Sequence, residues 1–544
     1  MERRYQKDLT AYEHLKYWEK RPLGGLLEVW AEQYGDRIAA VAGEEMLTYR
    51  ELLEKSTKKA FGFQQLGITK GDRVILQLPN GNHYLITLFA LLRIGALPVL
   101  VLPAHREAEL CAIAEKAEPK AYIVQNQYQG FDYMPLAQKL FEQCDCMQYV
   151  IVDGDFSPTQ ACEKCFAEIE ADHGTLPEID PYDTAFFLLS GGSTGVPKLI
   201  ARAHAEYLYL CRLCQHRCAL DQQTVYLVAL PCEHNFPMGD PGFLGALYVG
   251  GRAVFCQNPS PDEILELITR HGVTITALVP TMANMCIELL QFDDDYDIST
   301  LNVLQIGGAM LDEAAADKIM QGFAPATLMQ VYGTSEGLIL TTRLDDTDDV
   351  IRSYQGIALP DEDASGLCQA TQIKIVDEQE CEVPDGQYGE LICKGPYLID
   401  RYYKLENTDL SNFTQDGFYK TGDKAMRTKD GYYKFAGRVK EQINKAGEKI
   451  MPAEIEEYLC MHDNIADAAV LGVLDQEAGN RIVAFVSSYD GQEITLEMIY
   501  NFLQSKGLAQ YKFPDQCMTL ETLPLTAVGK KDKKVLLQFL ENGE

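Results

Sequence analysis

A glycine-rich segment at residues 188–198 carries the chain's densest set of groups suited to binding an anion. Its sequence is LLSGGSTGVPK. Glycines let the backbone approach a ligand closely, and consecutive backbone N–H groups can cradle phosphate oxygens. The hydroxyls of Ser190, Ser193 and Thr194 add donors, and Lys198 adds positive charge. The segment therefore predicts phosphate binding, with a flexible surface loop as the alternative.

The same segment differs from the P-loop of Walker-type nucleotide-binding proteins. That motif needs a glycine directly before its lysine and a serine or threonine directly after it. Pro197 and Leu199 occupy those two positions here. A P-loop kinase is therefore disfavoured, and the phosphate chemistry must belong to another arrangement.

Four more polar motifs follow along the chain. They are residues 330–337 (QVYGTSEG), 419–423 (YKTGD), 437–440 (GRVK) and 523–530 (LPLTAVGK). Together with the glycine-rich segment, this ordered set resembles the adenylate-forming superfamily of acyl-CoA synthetases, nonribosomal peptide synthetase adenylation domains and luciferases. The five motifs occur in order over residues 188–530, so the resemblance is specific.

Three further segments narrow the resemblance to one branch of that superfamily. Residues 98–106 (PVLVLPAHR), 233–237 (EHNFP) and 509–516 (AQYKFPDQ) look like those of stand-alone aryl-acid AMP ligases. These enzymes activate 2,3-dihydroxybenzoate or salicylate for siderophore and nonribosomal peptide biosynthesis. The similarity extends over nearly the whole chain.

The resemblance implies a two-step reaction with ATP and Mg²⁺. An aryl carboxylate attacks the α-phosphorus of ATP and releases pyrophosphate, and a thiol then displaces AMP from the mixed anhydride. The expected acceptor is a phosphopantetheinylated aryl carrier protein, and free coenzyme A is the alternative. A catalytically silent nucleotide-binding sensor on the same scaffold is the non-enzymatic alternative.

The resemblance also assigns roles to single residues. Lys530 matches the catalytic lysine, and Glu336 with the Thr194 hydroxyl matches the Mg²⁺ site. Asp423 and Arg438 would bind the ribose; a structural salt bridge is the alternative for both. The residues expected to contact ATP are Ser190, Gly191, Gly192, Ser193, Thr194, Gly195, Lys198, Gly308, Ala309, Val331, Tyr332, Gly333, Thr334, Asp423, Arg438 and Lys530. The neighbouring Lys531, Lys533 and Lys534 are expected to face solvent or a protein partner.

The aryl-acid pocket is the second site that the resemblance implies. Its expected lining is His234, Asn235, Phe236, Asp240, Gly307, Gly308, Val331 and Leu338. Asp240 departs from the 2,3-dihydroxybenzoate ligases, which carry a small hydroxyl residue near ring position 3. A carboxylate roughly 8 Å from the substrate carboxylate would repel it by about 2 kcal/mol at an effective dielectric of 20. A 3-hydroxyl or 3-amino donor would offset this repulsion; otherwise Asp240 is protonated or paired elsewhere.

The second step of the family reaction needs a rotation of the C-terminal domain. Lys440 matches the hinge position of the family, and Ala446 and Gly447 match the loop that lines the thiol tunnel. The ligases that the chain resembles usually carry glycine where Ala446 stands. The extra methyl group either tunes the tunnel or has no effect.

The elements that must position these motifs alternate between helix and strand in the first half of the chain. Thr48 with Glu51 predicts a helix start, residues 83–94 predict a buried helix, and 97–102 predict a buried strand. This rhythm predicts an α/β fold of parallel βαβ-type sheets. Short strands after about residue 370 indicate a smaller, β-barrel-like subdomain, and the last 100 or so residues indicate a mobile α+β domain. The predicted boundaries are 1–437 for the core, 438–440 for the hinge and 441–544 for the lid.

The composition limits the classes of partner. The chain has 544 residues and a formal net charge of −32, so broad binding to nucleic acid or an anionic membrane is disfavoured. The N-terminus has no apolar signal core, and the 16 cysteines are scattered, which favours a reduced cytoplasmic location. Cys211, Cys214, His216 and Cys218 could ligate a metal, but the spacing of the three cysteines favours one packed helix face.

Overall fold

The structure is a computed structural model. It describes residues 18–542 except 191–197, 294, 360–370, 400, 405–411, 442, 446–447, 476–478, 490, 507, 509 and 527–528. Thr194, Gly191, Gly192, Ser193 and Gly195 of the predicted phosphate loop lie outside the described residues, as do Ala446 and Gly447 of the predicted tunnel.

A nine-stranded sheet forms the larger half of the N-terminal region. Its strands in spatial order are Ile357–Ala358, Ile339–Thr341, Thr327–Gly333, Val303–Gly307, Ile275–Leu278, Val225–Val228, Arg252–Phe255, Ile38–Ala42 and Glu45–Thr48. The six strands from Thr327–Gly333 to Ile38–Ala42 are parallel, and the outer ones are antiparallel. The predicted parallel βαβ arrangement is therefore present.

A seven-stranded sheet forms the other half. Its order is Leu199–Ala203, Thr184–Leu189, Leu97–Leu100, Arg73–Gln77, Ala121–Gln125, Tyr149–Asp153 and Glu163–Cys165. All neighbours are parallel except the first pair. A short hairpin, Gln127–Tyr128 with Phe131–Asp132, follows its fifth strand.

Antiparallel strands dominate the rest of the chain. Gln372–Val376, Gly389–Lys394, Tyr419–Arg427 and Tyr433–Arg438 form a four-stranded sheet, which is the β-rich part expected after residue 370. Beyond it lie the pair Ile443–Lys445 and Glu448–Ile450, and the sheet Ile465–Asp475, Gly479–Ser488 and Gln516–Leu520. The 438–440 hinge and the domain boundaries remain predictions.

Helices cover the sheets on both sides. The α-helices are Leu26–Tyr34, Tyr49–Gln65, Asn82–Ile94, Glu107–Ala117, Met134–Gln143, His204–Arg217, Asn235–Gly239, Gly242–Tyr248, Pro261–His271, Pro280–Phe292, Glu313–Gly322, Asp348–Ser353, Pro452–Cys460, Leu496–Ser505 and Lys533–Asn542. Short 3₁₀ turns are Leu23–Gly25, Phe166–Glu168, Val439–Glu441 and Gln510–Lys512. Within the described part of the chain, no helix combines the length and the apolar character that crossing a membrane requires.

Local sequence explains two of these helices. Thr48 caps the helix Tyr49–Gln65 with a reciprocal bond pair to Glu51, as predicted. The helix Asn82–Ile94 is buried on nearly every side because its core packs against both large sheets. The predicted packed face of His204–Arg217 is also confirmed, since Cys211 and Cys214 are about 1% exposed.

The topology brings the site motifs to one edge of the nine-stranded sheet. Carboxyl ends of parallel strands meet at a common edge, where α/β folds bind ligands. Val303–Gly307 and Thr327–Gly333 are adjacent there, and residues 233–237 follow Val225–Val228 at the same edge. Three motifs that are far apart in sequence therefore converge.

Candidate active site

The loop that carries Lys530 folds back on itself and rests on the N-terminal region. The Thr526 amide donates to the Lys530 carbonyl at 2.6 Å, and the Gly529 amide donates to the Thr526 carbonyl at 2.9 Å. A Cβ on Gly529, whose φ is +74°, would lie 3.3 Å from Val279 Cγ2 and 3.4 Å from Thr281 Oγ1. The close approach of Gly529 thus seats the loop at the start of the helix Pro280–Phe292.

The position of this loop brings the Lys530 ammonium close to side chains predicted to bind the nucleotide and the aryl acid. Desolvation by the surrounding protein, and then the positive charge of Arg438, lower the pKa of Lys530, while the Asp423 carboxylate opposes this shift. Burial, and then the charge of Lys530, lower the pKa of His234 to about 4. Lys530 therefore lies within electrostatic reach of Asp423, Arg438 and His234, which come from three separate motifs.

Asp423 and Arg438 lie opposite each other on neighbouring antiparallel strands. The Arg438 guanidinium pairs with Asp423 at 2.8 Å, and the Tyr332 hydroxyl donates to the other Asp423 oxygen at 2.6 Å. Burial raises the pKa of Asp423, and the Arg438 charge opposes that rise. A carboxylate has about four acceptor positions, so two ribose hydroxyls can still donate to Asp423.

Tyr332 itself is held by a second ring. Its ring stacks on that of Phe435, with centroids 3.9 Å apart and planes inclined by 23°. Phe435 was not among the predicted site residues, because nothing in its local sequence distinguishes it from an ordinary strand residue. One face of the Tyr332 ring is thus covered by Phe435.

Glu336 lies in a tightly held loop. Its carboxylate accepts a hydrogen bond from the Tyr402 hydroxyl at 2.8 Å, and its carbonyl accepts from the Ile399 amide at 2.9 Å. A Cβ on Gly337 would lie 2.0 Å from the Tyr397 carbonyl oxygen, so this position requires glycine. The loop presents a buried carboxylate whose orientation is set by its neighbours.

Arg202 and Glu206 support the Glu336 loop from below, and sequence reasoning missed both. Their side chains are fully buried and paired, with Arg202 Nε 3.0 Å from a Glu206 oxygen. Arg202 also donates to the Ser335 carbonyl at 2.9 Å. An Arg–Glu pair spaced by four residues was the available signal, but surface pairs commonly have the same spacing.

The donor set at Glu336 fits Mg²⁺ bound partly through a substrate. The described residues hold no cluster of three or more His, Cys, Asp or Glu side chains suited to a metal. Mg²⁺ is usually held by one or two carboxylates together with phosphate oxygens and water. Glu336 supplies one such carboxylate. Thr194, the predicted second ligand, lies outside the described residues.

The two ends of the predicted phosphate loop are joined. The Ser190 amide donates to the Lys198 carbonyl at 3.1 Å, and the Lys198 amide donates to the Ser190 hydroxyl at 3.0 Å. The Lys198 ammonium lies 4.8 Å from the centroid of the Tyr402 ring, the same ring whose hydroxyl contacts Glu336. Ser190 and Lys198 therefore border the Glu336 site.

Several residues predicted to line the aryl pocket lie at the same edge of the sheet. A Cβ on Gly307 would lie 3.0 Å from the Phe236 ring and 2.6 Å from the Val331 carbonyl oxygen, so the ring packs close to the Gly307 backbone. Leu338 is fully buried, whereas Gly308 and Ala309 are exposed. Gly308 has φ +80°, which favours glycine. The Thr334 amide donates to the Leu338 carbonyl and closes the turn between these two residues.

Asn235 presents one particular end of its amide. The Tyr207 hydroxyl donates to the Asn235 carbonyl oxygen at 2.9 Å, and both side chains are buried. The Asn235 NH₂ group is therefore the end left for a ligand. His234 Nε2 is buried with no hydrogen-bond partner among the described residues, and this imidazole is neutral at pH 7 because the pKa of His234 is lowered to about 4.

Asp240 is buried, and neither carboxylate oxygen has a nitrogen or oxygen donor among the described residues; the Cys214 thiol faces it as a weak donor. It is 1% exposed, and burial raises its pKa to about 7. The Cys214 thiol and the Arg217 guanidinium are the neighbours that oppose this rise. A Cβ on Gly333 would lie 4.0 Å from Asp240 Oδ2. The described residues give Asp240 no salt bridge, so any pairing with another residue is limited to the Cys214 thiol.

The prediction for the lysines after Lys530 is wrong for two of them. Lys531 pairs with Asp467 at 2.7 Å, and Lys533 bridges Glu441 at 3.0 Å and Glu456 at 2.9 Å. Lys531 thus ties the segment before the C-terminal helix to the strand Ile465–Asp475, and Lys533 ties the start of that helix to the turn Val439–Glu441 and the helix Pro452–Cys460. Lys534 is exposed, as expected. Lys440, the predicted hinge residue, lies in the turn Val439–Glu441, directly beside Glu441.

Comparison with known proteins identifies the fold and its chemistry. The model of the family described as AMP-binding enzyme matches residues 27–403, and that of its C-terminal domain matches residues 454–530. The chain belongs to the AMP-binding enzyme family. This confirms the predicted superfamily, and the protein is an AMP-forming ligase.

Several relatives of this AMP-binding enzyme align over almost the full chain. It is 42% identical to the 2,3-dihydroxybenzoate-AMP ligase of Bacillus subtilis, covering 96% of this chain and 94% of that protein. It is 39% identical to the salicyl-AMP ligase/salicyl-S-ArCP synthetase of Mycobacterium tuberculosis, covering 98% and 93%. Both relatives are aryl-acid AMP ligases, which is the branch of the superfamily that the sequence predicts.

Solved structures confirm the α/β fold. An apo structure of Mycobacterium smegmatis MbtA is 38% identical, covers 97% of both chains and superposes with a TM-score of 0.73. The anthranilate CoA ligase AuaEII with anthranoyl-AMP reaches a TM-score of 0.85 at 20% identity, over 96% of this chain and 98% of the other. The second likeness concerns the fold alone.

Proposed function

We propose that the enzyme couples an aryl acid to ATP, forming aryl-AMP and pyrophosphate, and then transfers the aryl group to the phosphopantetheine thiol of an aryl carrier protein. The proposed acid is 2,3-dihydroxybenzoate or a close relative with a donor at ring position 3. One observation carries the proposal: Lys530 lies within reach of both the Asp423–Arg438 pair and His234. It therefore sits where nucleotide and acid would meet. The names of the relatives support the same acid class.

The first step needs no general base, because a benzoate is already ionised at pH 7. Its barrier is electrostatic, since an anion approaches a polyphosphate and charge builds on the transferred phosphoryl oxygens. Lys530 would attract the carboxylate and stabilise that charge. His234, which stays neutral, adds no competing cation to the pocket. Asp423 and Arg438 would hold the ribose and so fix the position of the α-phosphate.

Mg²⁺ would bind through Glu336 and the phosphate oxygens and would neutralise charge on the phosphates. The protein's own contribution is to hold Glu336 in place. Tyr402 fixes the carboxylate, and Arg202 fixes the adjacent Ser335 carbonyl. We propose Thr194 as a further ligand.

The second step requires the thiol to reach the aryl-AMP. The Lys530 loop contacts the N-terminal region through Gly529 in the present arrangement, which suits the first step. We propose that Lys440 acts as the hinge about which the C-terminal part turns, and that Ala446 and Gly447 then line the thiol tunnel. Such rigid-body changes use a few backbone torsions.

ATP–pyrophosphate exchange with 2,3-dihydroxybenzoate and salicylate tests the first step. We expect exchange that depends on the acid and on Mg²⁺. Lys530→Ala should abolish most of it, while Lys534→Ala, a matched exposed lysine, should retain it. No exchange with any aryl acid by a folded enzyme that binds ATP would contradict the proposal.

Offering the preformed adenylate two thiols tests the acceptor. We expect faster transfer to a phosphopantetheinylated aryl carrier protein than to free coenzyme A. Faster transfer to coenzyme A would favour the aryl-CoA ligase alternative, which one relative supports through its name, salicylyl-CoA synthase/salicylate adenylyltransferase.

A further inference from the structure

Asp240 belongs to a group of buried polar atoms that have no nitrogen or oxygen partner among the described residues; the Cys214 thiol faces its carboxylate only as a weak donor. Both Asp240 oxygens, the Tyr226 hydroxyl and the Gln305 carbonyl oxygen have no hydrogen bond to a nitrogen or oxygen atom among the described residues. All three side chains are 0–1% exposed. Buried polar atoms in folded proteins are almost always satisfied, so several orphans together indicate a missing partner.

The three side chains lie on one side of the nine-stranded sheet. Tyr226 is in register with Ile275, which is in register with Val303, two residues before Gln305. Residues two apart point to the same face of a strand. Gln305 contacts the Cys218 thiol at 3.7 Å, and Cys218 and Tyr226 both lie within electrostatic reach of Asp240. The unpartnered atoms therefore form one local cluster behind the aryl pocket.

The cluster adjoins the pocket rather than a separate cavity. Asp240 ends the short helix Asn235–Gly239, whose first residues are the predicted pocket residues Asn235 and Phe236. Its carboxylate approaches Gly333, which lies two residues along the strand from Val331. Phe236 and Val331 both contact Gly307. A ring lying along Phe236 would thus point one edge toward Asp240.

The two polar side chains of the pocket have opposite hydrogen-bonding character. Asn235 offers NH₂ donors, because its carbonyl is taken by Tyr207. It suits an acceptor at ring position 2, such as a hydroxyl oxygen. Asp240 offers two acceptor oxygens and, when ionised, no donor. It suits a donor, and an amino group supplies two N–H groups where a hydroxyl supplies one O–H.

We propose that Asp240 is the specificity-determining residue of this pocket and that it selects 2-hydroxybenzoates with a donor at position 3, with 3-amino-2-hydroxybenzoate ahead of 2,3-dihydroxybenzoate. The proposal rests on the proposed function and names its substrate more narrowly. The bond to Asp240 is charge-assisted when the carboxylate is ionised, which makes it stronger than a neutral one. An acid without the donor leaves a buried carboxylate unsatisfied and is rejected for that reason.

Four acids that differ only at position 3 test the proposal in the exchange assay: 3-amino-2-hydroxybenzoate, 2,3-dihydroxybenzoate, salicylate and 3-methyl-2-hydroxybenzoate. 3-Methyl-2-hydroxybenzoate matches 3-amino-2-hydroxybenzoate in size and has no hydrogen-bond donor at position 3. We expect kcat/KM for both donor acids to exceed that of the methyl acid by about 10- to 100-fold at pH 8, the range typical of a hydrogen bond to a charged group. 3-Amino-2-hydroxybenzoate should have the highest kcat/KM of the four acids.

Two variants separate Asp240 from the rest of the pocket. Asp240→Ser removes the carboxylate, and Asp240→Asn keeps its shape. We expect Asp240→Ser to bring the four acids within about threefold of one another by raising salicylate and the methyl acid. Asp240→Asn should lose the preference for the amino group, measured as the ratio of kcat/KM between 3-amino-2-hydroxybenzoate and 3-methyl-2-hydroxybenzoate. The wild-type ranking stands as a test even where a variant folds poorly.

The outcomes divide between the two proposals. Exchange with none of the four acids would overturn the proposed function. Exchange in which salicylate or the methyl acid equals the donor acids, or a ranking unchanged in Asp240→Ser, would overturn the role of Asp240 alone. A wild-type preference for 2,3-dihydroxybenzoate over 3-amino-2-hydroxybenzoate would overturn the proposed substrate order, which follows from the two acceptor oxygens of Asp240.

Discussion

Replacing Asp240 by asparagine should make the enzyme's stability less dependent on pH. In the folded protein burial raises the pKa of Asp240 to about 7, from an ordinary value of 3.8. Between these two values the unfolded chain releases the proton and the folded chain keeps it, so stability falls as pH rises and levels off above pH 7. At about 1.36 kcal/mol per pKa unit, the wild type should lose about 2.5 kcal/mol between pH 5 and pH 8 through this group.

The groups that face Asp240 leave this signal intact. Burial raises the pKa values of Cys211, Cys214, Cys218 and Tyr226 further above neutrality, so these side chains stay uncharged from pH 5 to pH 8. Arg217 stays charged throughout, although burial lowers its pKa from 12.5. Among these facing groups, only Asp240 is therefore expected to change charge in the range.

Urea unfolding followed by tryptophan fluorescence can measure the effect. The sequence contains two tryptophans, Trp18 and Trp30, and both are buried in the N-terminal region that holds Asp240. The quantity to compare is the difference in unfolding free energy between Asp240→Asn and wild type at pH 5 and at pH 8. We expect it to grow by about 2.5 kcal/mol in favour of the variant.

An exposed carboxylate supplies the control. Asp430 lies exposed in a turn, and Asp430→Asn should shift stability by the same small amount at both pH values. A pH-independent difference for Asp240→Asn would refute the reasoning, because it would mean that Asp240 is as well solvated or paired in the folded enzyme as in the unfolded chain.

Three further changes probe the nucleotide side of the site. Lys530→Ala should lower adenylate formation by about 10²- to 10³-fold in rapid-quench assays, while transfer from supplied aryl-AMP stays within a fewfold; equal losses in both steps would contradict its role. Tyr332→Phe removes one bond to Asp423 and should raise the KM for ATP by about three- to tenfold with little change in kcat. Glu336→Gln should raise the Mg²⁺ concentration needed for half-maximal exchange, whereas an unchanged Mg²⁺ titration would exclude Glu336 as a ligand.

Local sequence was enough to predict several elements and the family. The Thr48–Glu51 pair predicted a helix start because a capping box needs only residues three apart. The buried helix Asn82–Ile94 followed from its continuous apolar composition. The order of the five motifs indicated the adenylate-forming superfamily, because the set resembles the motifs of that superfamily residue by residue.

Long-range partners were decided by the tertiary structure. Nothing near Lys531 or Lys533 indicates their salt bridges to Asp467, Glu441 and Glu456, which depend on how the last helix packs. The buried Arg202–Glu206 support of the Glu336 loop is equally invisible in the sequence, because exposed pairs have the same spacing.

Asp240 shows most clearly what the sequence alone does not determine. Its type and position in the sequence predicted a carboxylate near the ring, but left open whether it was paired. Only the packing of a helix, a sheet face and a glycine around it shows that both oxygens lack a nitrogen or oxygen partner among the described residues. Burial is a property of the surroundings and not of the residue, and burial turns this aspartate into a selective acceptor.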